Sequence, residues 1–574
     1  MKHDKSSASR PVQALSILIL TLLAGLSLSA QPLSAPKPVE IQVDLTKNRG
    51  ALKPIWAWFG YDEPNYTYMK DGRKLLTEIA NLSKVPVFVR THSLLVTGDG
   101  IAALKWGSTN AYTEDAQGKP IYNWTIVDKI FDTYIERGMK PMAQIGFMPE
   151  AMSTKPQPYR HHWEPGAKYN DIYTGWAYPP KDYAKFAALV YEWVNHSVAR
   201  YGKKEVESWY WELWNEPNIG YWKGTTEEYI KLYDYTADAV KRALPTARIG
   251  GPEVTGPNSK TSEAFMRAFL DHVVGGKNYA TGKTGSPLDF ITFHAKGAPK
   301  LVNGVVQMNM GTQLRDIDKG FEIVASYPTL KKLPIIIGES DPEGCAACSE
   351  DFHPQNAYRN GTMYASYTAA SFARKHDLAD ARGVNLLGAV TWAFEFEDQP
   401  WFRGFRDLAT NGVDKPVLSV FRMMGLMQGN RAEVKQELAY DYKKVRDESV
   451  RGEPDINAFA AKDAREATVM VWNYHDDNRI AAASPVGVRV KGIPAPKVLL
   501  QHYRIDQQFS NAYEAWKGMG SPKNPTARQI ADLEKAGQLQ LLTSPAWIDV
   551  KKGEALITFP LPGQGISLLK LSWP

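Results

Sequence analysis

The sequence predicts an α/β protein, a (β/α)8 TIM barrel followed by a C-terminal β-sandwich, on three observations. Between about residues 50 and 430, eight short apolar runs alternate with amphipathic helical stripes, and each run is apolar on both faces, as a strand covered on both sides must be. Polar residues gather at the carboxyl ends of those runs, the end at which a barrel does its chemistry. After about residue 430 helical stripes become rare and strand-like runs between turn residues take over. A doubly wound open sheet would also alternate. It would normally carry a glycine-rich phosphate turn after an early strand, and the sequence has none.

Taken in order, residues 1–30 read as a secretory signal. Lys2, Lys5 and Arg10 precede an apolar stretch from about Ala14 to Leu28, and the small residues Ser27, Ser29 and Ala30 follow. That stretch is too short to span a bilayer. The expected product is exported, periplasmic or secreted, with no membrane attachment after signal removal. Residues 31–48 hold a linker and the alternating run Val39–Leu45, expected to be a strand that joins the sandwich.

The barrel is expected over residues 49–430. Its first run is Ile55–Gly60, followed by a stripe of Leu75, Leu76, Ile79 and Leu82. The second, Val85–Arg90, leads into Thr91 and His92. A helix with Val127, Ile130, Phe131 and Tyr134 stops at Gly138, a natural C-cap, before the third run, Pro141–Phe147. The 30-residue loop after it is rich in Pro, Tyr, His and Trp, and a loop that long in a compact domain is expected to serve function. The fourth run, WYWELWNEPN over Trp209–Asn218, climbs through aromatics and stops at Asn215–Glu216–Pro217. Pro217 cannot donate to a ladder and biases Glu216 away from helix. A carboxylate at that end of a buried strand is costly unless the site uses it. Glu212, inside the run, reads as structural. Thr225 or Thr226 can cap the next helix. The remaining runs are Ala247–Pro252, Leu288–His294, Pro334–Glu339 and Leu386–Phe394. The sandwich, residues 431–574, shows strand-like runs at Ala467–Trp472, Val486–Val490, Lys497–Tyr503 and Ala555–Phe559.

The bulk numbers narrow the function classes. A length of 574 residues fits one large barrel plus an accessory domain. The net charge of +6 is small for that length and no long single-sign run occurs, so nothing points to nucleic acid. The 17 Trp and 28 Tyr suit stacking on sugar faces, although most of them must fill core. Cys345 and Cys348, spaced C-A-A-C, are the only cysteines, and in an exported chain they are expected to form a local disulfide. Two such ligands do not make a zinc site. Oligomeric state is not legible.

At the strand ends stand Arg90 and His92, Asn215 and Glu216, His294, Glu339, and Trp392 with Glu395 and Glu397. Two glutamates ending the fourth and seventh strands face each other across a barrel mouth. Paired carboxylates are the apparatus of glycoside hydrolysis, one protonating the leaving oxygen and the other attacking the anomeric carbon or activating water.

The segments RTH (Arg90–His92), GFMPE (Gly146–Glu150), WNEPN (Trp214–Asn218), GGP (Gly250–Pro252) and FHAKG (Phe293–Gly297) occur in that order. IIIGESDPEG (Ile335–Gly344), WAFEFED (Trp392–Asp398), LATNGVDKP (Leu408–Pro416) and YRIDQQFSNAY (Tyr503–Tyr513) continue them. As an ordered set they resemble glycoside hydrolase family 39, the β-xylosidases and α-L-iduronidases, with bacterial β-xylosidases the nearest in look. The resemblance implies Glu216 as acid/base, Glu339 as nucleophile and retention of configuration. It implies that Asn215 bonds the 2-hydroxyl of the sugar in the −1 subsite. His92 and His294 would contact hydroxyls or orient the nucleophile, Trp392 would form a sugar platform, and Glu397 would contact substrate. E-F-E-D departs from the family pattern, which places acidic residues slightly later. No metal or cofactor is implied. The expected substrate is a xylo-oligosaccharide or related small glycoside, from which terminal β-D-xylosyl residues are removed. An α-L-arabinosidase on the same site is the alternative, and a non-catalytic carbohydrate-binding barrel is the alternative of another class. An iduronidase would need cationic groups for the substrate carboxylate, and no cluster of them stands out in the sequence.

Overall fold

The computed structural model describes residues 38–479 and 482–574; the expected signal lies outside these. Eight parallel strands close into a ring. They are β1 Trp58–Tyr61, β2 Phe88–Thr91, β3 Lys140–Ile145, β4 Tyr210–Leu213, β5 Arg248–Val254, β6 Phe290–His294, β7 Pro334–Glu339 and β8, which runs in two pieces as Asn385–Ala389 and Thr391–Trp392. Consecutive strands pair throughout, and Thr391 opposite Phe59 joins β8 to β1. Between the two pieces of β8, Val390 N–H still donates to the Ile337 carbonyl at 2.8 Å, so the interruption leaves β8 on β7. Each run read from the sequence overlaps one strand, with ends displaced by a few residues.

Inward-facing side chains explain why the ring is solid rather than a pore. Trp58, Met142, Tyr210, Phe290, Ile336, Val390 and Trp392 form one buried cluster, with Phe88 packed against it. Trp58 stacks on Phe88 at 4.1 Å, and Tyr210 meets Trp58, Phe88 and Phe290 edge-on. Such pairs contribute about 1 kcal/mol each beyond their buried area. This plug confines a ligand to the mouth at the carboxyl ends of the strands. On the outer ring the helix Thr226–Ala243 begins with a complete capping box, Thr225 and Glu228 each bonding the other's backbone N–H. No described helix is long and apolar enough to cross a membrane.

The C-terminal part is a ten-stranded, mostly antiparallel sheet folded over its own core as a sandwich. The N-terminal strand Val39–Ala51 belongs to it. It pairs antiparallel with Asn430–Lys435, Gln42 opposite Lys435, and parallel with Ser484–Lys491, Val39 opposite Val486. Strict alternation in Glu554–Leu561 turns Ala555, Ile557, Phe559 and Leu561 inward. The sequence reading passes over the strands Asp455–Lys462 and Ile566–Ser572 and the helices Tyr442–Glu448, Ala512–Gly518 and Ala527–Gly537. The helix Thr362–Arg382 is buried on almost every side because it lies between barrel and sandwich. Arg374 on it pairs with Asp455 at 2.8 Å, and Asp455 also accepts from Trp472 Nε1 at 3.0 Å.

Candidate active site

Glu339 is the last residue of β7, and Glu216 stands three residues beyond β4. The chain leaves β4 under strain: Trp214 and Glu216 sit in the left-handed region at φ +68° and +44°. Non-glycine residues held there cost of order 1–3 kcal/mol each and persist where the surroundings fix them. Here Glu216 N–H donates to the Glu253 carbonyl at 2.9 Å, and Trp214 Nε1 donates to the Tyr221 carbonyl at 2.9 Å. Both carboxylates remain accessible, with side chains 14% and 6% exposed for Glu216 and Glu339. One oxygen of each, with a ring nitrogen of His294, lies within 4.8 Å of the others.

Glu339 is surrounded by positive charge. Lys296 Nζ is 2.6 Å from Oε2; His92 Nε2, Arg90 Nη1 and His294 Nδ1 approach Oε1 at 3.4, 3.5 and 3.8 Å. Burial pushes the carboxyl pKa up, but Lys296 first, then His294, outweigh it and hold Glu339 well below the usual carboxylate range. The residue is therefore ionised at neutral pH, as a nucleophile must be. Behind Lys296 lies a chain of supports. Lys296 also meets Asp341 Oδ1 at 2.6 Å, and Asp341 is ion-paired with the buried Arg406. Arg406 donates to the carbonyls of Gly344 and Ala346, and Arg359 to those of Cys345 and Cys348. The expected disulfide between Cys345 and Cys348 is formed, and it closes this carbonyl-rich loop.

Glu216 is served by a different relay. His294 Nδ1 lies 2.9 Å from Glu216 Oε1 and Nε2 lies 2.6 Å from Glu253 Oε2. Burial alone would lower the His294 pKa, but the charges of Glu339 and Glu253 and the bond to Glu216 raise it to about 9, so the ring is charged, with Nδ1 bonded to Glu216 and Nε2 ion-paired with Glu253. Glu253 is drawn down to about 2, against its burial, by Arg90 and His294. Its neighbour Glu212 is pushed well above the usual range by burial and stays protonated. Gly338 makes room for this group, since a Cβ there would lie 2.1 Å from Glu253 Oε1. Arg90 ties the pieces together, donating from Nε to Glu212 at 2.6 Å and from Nη2 to Asn215 Oδ1 at 3.2 Å. The Asn215 amide is thus oriented, and its Nδ2 has no hydrogen-bond partner among the described residues. His92 is kept neutral by burial.

Beside these groups opens a cleft lined by, among others, Asp62, His92, Lys105, Phe147, Trp176 and Tyr221. Trp176 comes from the long loop after β3. Tyr169 of that loop bonds Tyr221 through the hydroxyls at 2.7 Å, and His161 Nε2 meets the Lys105 carbonyl at 2.7 Å. The aromatic loop therefore folds down as one wall of the cleft. Two triplets, Asp62–His92–Glu339 and Glu216–His294–Glu339, bring ligand-type atoms close enough to hold a cation. Lys296, Arg90 and Lys105 already supply positive charge there.

The family described as "Glycosyl hydrolases family 39" matches residues 39–548. The chain belongs to this family. It is a glycoside hydrolase. It is 29% identical over 447 residues to a β-xylosidase of Caldicellulosiruptor saccharolyticus, covering 76% of this chain and 80% of that protein. It is 25% identical over 545 residues to the α-L-iduronidase of Mus musculus, covering 87% and 76%. Among solved structures it resembles a monomeric β-xylosidase from Caulobacter crescentus CB15, with a TM-score of 0.72 at 22% identity, covering 93% of this chain and 99% of that one.

In this family 39 chain, Glu216, Glu339, His92, Asn215 and His294 lie together at the mouth of the barrel. Three other readings need correction. Trp392 is 1% exposed and offers no open face to a sugar: its ring lies under the Arg90 guanidinium and against His92, and its Nε1 donates to Asp62 at 3.1 Å. Glu397 lies off the site and accepts the Asp71 N–H at 3.0 Å, at the start of the helix Lys70–Ala80, where a negative charge is favoured. Glu395 is buried and accepts from Gly412 N–H at 2.5 Å. The third correction concerns cations. The sequence shows no cluster of them, yet Lys296, Arg90, Arg406 and Lys105 converge here from separate strands and loops. Sequence reasoning also misses Asp62 and Glu253. The segment FHAKG, already part of the family pattern, carries the one local signal for Lys296.

Proposed function

We propose that this glycoside hydrolase removes terminal β-D-xylosyl residues from short xylo-oligosaccharides with net retention, Glu216 acting as acid/base and Glu339 as nucleophile. The observation that carries the reading is that one oxygen of Glu216 lies within 4.8 Å of one oxygen of Glu339. Retaining glycosidases hold their carboxyl groups about 5–5.5 Å apart, and inverting ones leave about 6.5–9.5 Å for a water. In the first step the Glu339 carboxylate attacks the anomeric carbon as the glycosidic bond breaks, and Glu216 gives its proton to the leaving oxygen. His294 donates to Glu216 Oε1, which leaves Oε2 to carry that proton. When the glycosyl ester forms, Glu339 loses its charge. Glu216, now ionised, takes a proton from water, whose oxygen attacks the same carbon and releases Glu339. Asn215 Nδ2 is oriented to bond the 2-hydroxyl, a contact that strengthens in the transition state. The aromatic loop walls the cleft on one side, which favours a terminal ring over an internal one. We read the enzyme as exported, on residues 1–30.

A second reading, hydrolysis of an α-L-iduronide, draws on Lys296 and on relatives named α-L-iduronidase. It ranks behind because Lys296 is already engaged by Glu339 and Asp341. The test is a panel of aryl β-D-xyloside, α-L-arabinosides and α-L-iduronide, with NMR of the first-formed anomer. Turnover of the β-xyloside with the β-anomer appearing first supports the proposal. A first-formed α-anomer overturns retention, and preference for another glycoside overturns the substrate.

A further inference from the structure

We propose that Asp62 is a specificity-determining residue of the sugar site: its carboxylate accepts a hydroxyl of the ring held against Glu339 and thereby selects a neutral, hydroxyl-bearing sugar. The inference rests on the glycosidase reading above and adds a recognition group that the sequence does not reveal. Asp62 directly follows β1, at the mouth of the barrel. Its side chain is 11% exposed, and it lines the cleft together with His92 and Lys105. One of its oxygens lies within 4.8 Å of ligand atoms of both His92 and Glu339, so a ring attacked by Glu339 must pass beside it.

The carboxylate is fixed but not saturated. Trp392 Nε1 donates to Oδ1 at 3.1 Å, and Lys105 Nζ is ion-paired with Oδ2. An ionised carboxylate offers about four acceptor positions, which leaves about two open. His92 Nε2 accepts from Arg90 Nη1 at 3.2 Å and, 4.0 Å from Oδ1, gives Asp62 no bond. A sugar hydroxyl entering beside Oδ1 would donate to it at roughly 2.8 Å. Lys105 holds the carboxyl ionised against its burial and the nearby Glu339. A sugar carboxylate placed there would face two negative groups, whereas a sugar hydroxyl would find a charged acceptor.

Asp62 could instead serve only to anchor Lys105, which also lies 5.2 Å over the Tyr169 ring and so joins two loops of the cleft wall. The experiment separates these roles by asking whether the loss depends on one hydroxyl. The parent enzyme and Asp62→Asn are assayed on an aryl β-D-xyloside and its 2-, 3- and 4-deoxy analogues. Loss of one charge-assisted bond should lower kcat/KM about 10–100-fold on the full sugar. The parent should lose a similar factor on either the 3- or the 4-deoxy sugar, and Asp62→Asn should lose little more on that same analogue. If the losses multiply for every deoxy sugar, Asp62 recognises no hydroxyl and the proposal falls. Asp62→Asn/Lys105→Met, which leaves no unpaired buried charge, should show the same coupling and guards against misfolding as the cause. The parent's turnover of the xyloside tests the functional reading separately. Where another glycoside is preferred, the deoxy series is built on that ring. Where none is turned over, calorimetric affinities of D-xylose and its deoxy forms for parent and variant decide by the same pattern.

Discussion

Replacing Lys296 by Met removes the main counter-charge of the proposed nucleophile while keeping most of the side-chain volume. Lys296 Nζ lies 2.6 Å from Glu339 Oε2. For unit charges at that separation, an effective dielectric constant of about 20 gives an attraction of about 6 kcal/mol. The lysine is 18% exposed and shares its charge with Asp341, so we take about half, ~3 kcal/mol. At 1.36 kcal/mol per unit, this is about two pH units. The sign follows from the role. Glu339 works ionised and is held well below the usual range, so activity in the parent persists as pH falls and is lost only through that depressed pKa. In Lys296→Met the acid limb of kcat/KM should move up by about two pH units. Asp341, left with Arg406, adds repulsion in the same direction. The alkaline limb, set by the proton donor and not by the nucleophile, should stay where it is in the parent. The assay is a pH–rate profile on an aryl glycoside for parent and variant, with thermal midpoints as a folding control. A fall in rate with both limbs in place would refute the electrostatic reasoning and leave Lys296 a packing role.

Glu216→Ala should retain turnover of aryl glycosides with good leaving groups, lose about 10²–10⁴-fold on xylobiose, and give a glycosyl azide of retained configuration when azide is added; no rescue by azide would count against the acid/base assignment. Cys345→Ser, or reduction of the parent, should lower kcat about 10–100-fold with KM nearly kept, because Arg359 and Arg406 lose the loop whose carbonyls seat the Asp341–Lys296–Glu339 relay; unchanged kcat with only a lower thermal midpoint would reduce the disulfide to a staple. Lys375→Met should stabilise the fold. Lys375 is buried, and that burial lowers its pKa from 10.5 to about 7. The folded chain therefore binds fewer protons than the unfolded one between those values. The cost, at most about 5 kcal/mol, is fully present below pH 7 and fades as pH rises toward 10.5. The gain in thermal midpoint should accordingly be larger at mildly acid pH than in alkali, and a pH-independent gain would contradict the titration.

The barrel and its two glutamates are legible because their signals are local. Apolar strands that end at Asn215–Glu216–Pro217 or Ile337–Gly338–Glu339 declare themselves in a few residues. The supports around them are not local. Asp62 and Lys105 stand 43 positions apart and meet only when the loops after β1 and β2 fold together. Glu253 lies just past the run read as Ala247–Pro252, because β5 continues to Val254. The eighth strand misled for a physical reason. The chain turns out of the barrel after Trp392, so Glu395 and Glu397 are spent on the Gly412 and Asp71 backbones instead of the cleft. The helix Ala527–Gly537 did carry a local mark, the Thr526–Gln529 capping box, but its neighbours read as strands.

The most direct test of the central claim is to trap the covalent intermediate. A 2-deoxy-2-fluoro-β-D-xyloside with a good leaving group should glycosylate the enzyme faster than water releases it, and peptide mass mapping should place the fluoroxylosyl adduct on Glu339. An adduct on another carboxylate, or none on an enzyme that turns over the parent glycoside, would contradict the account.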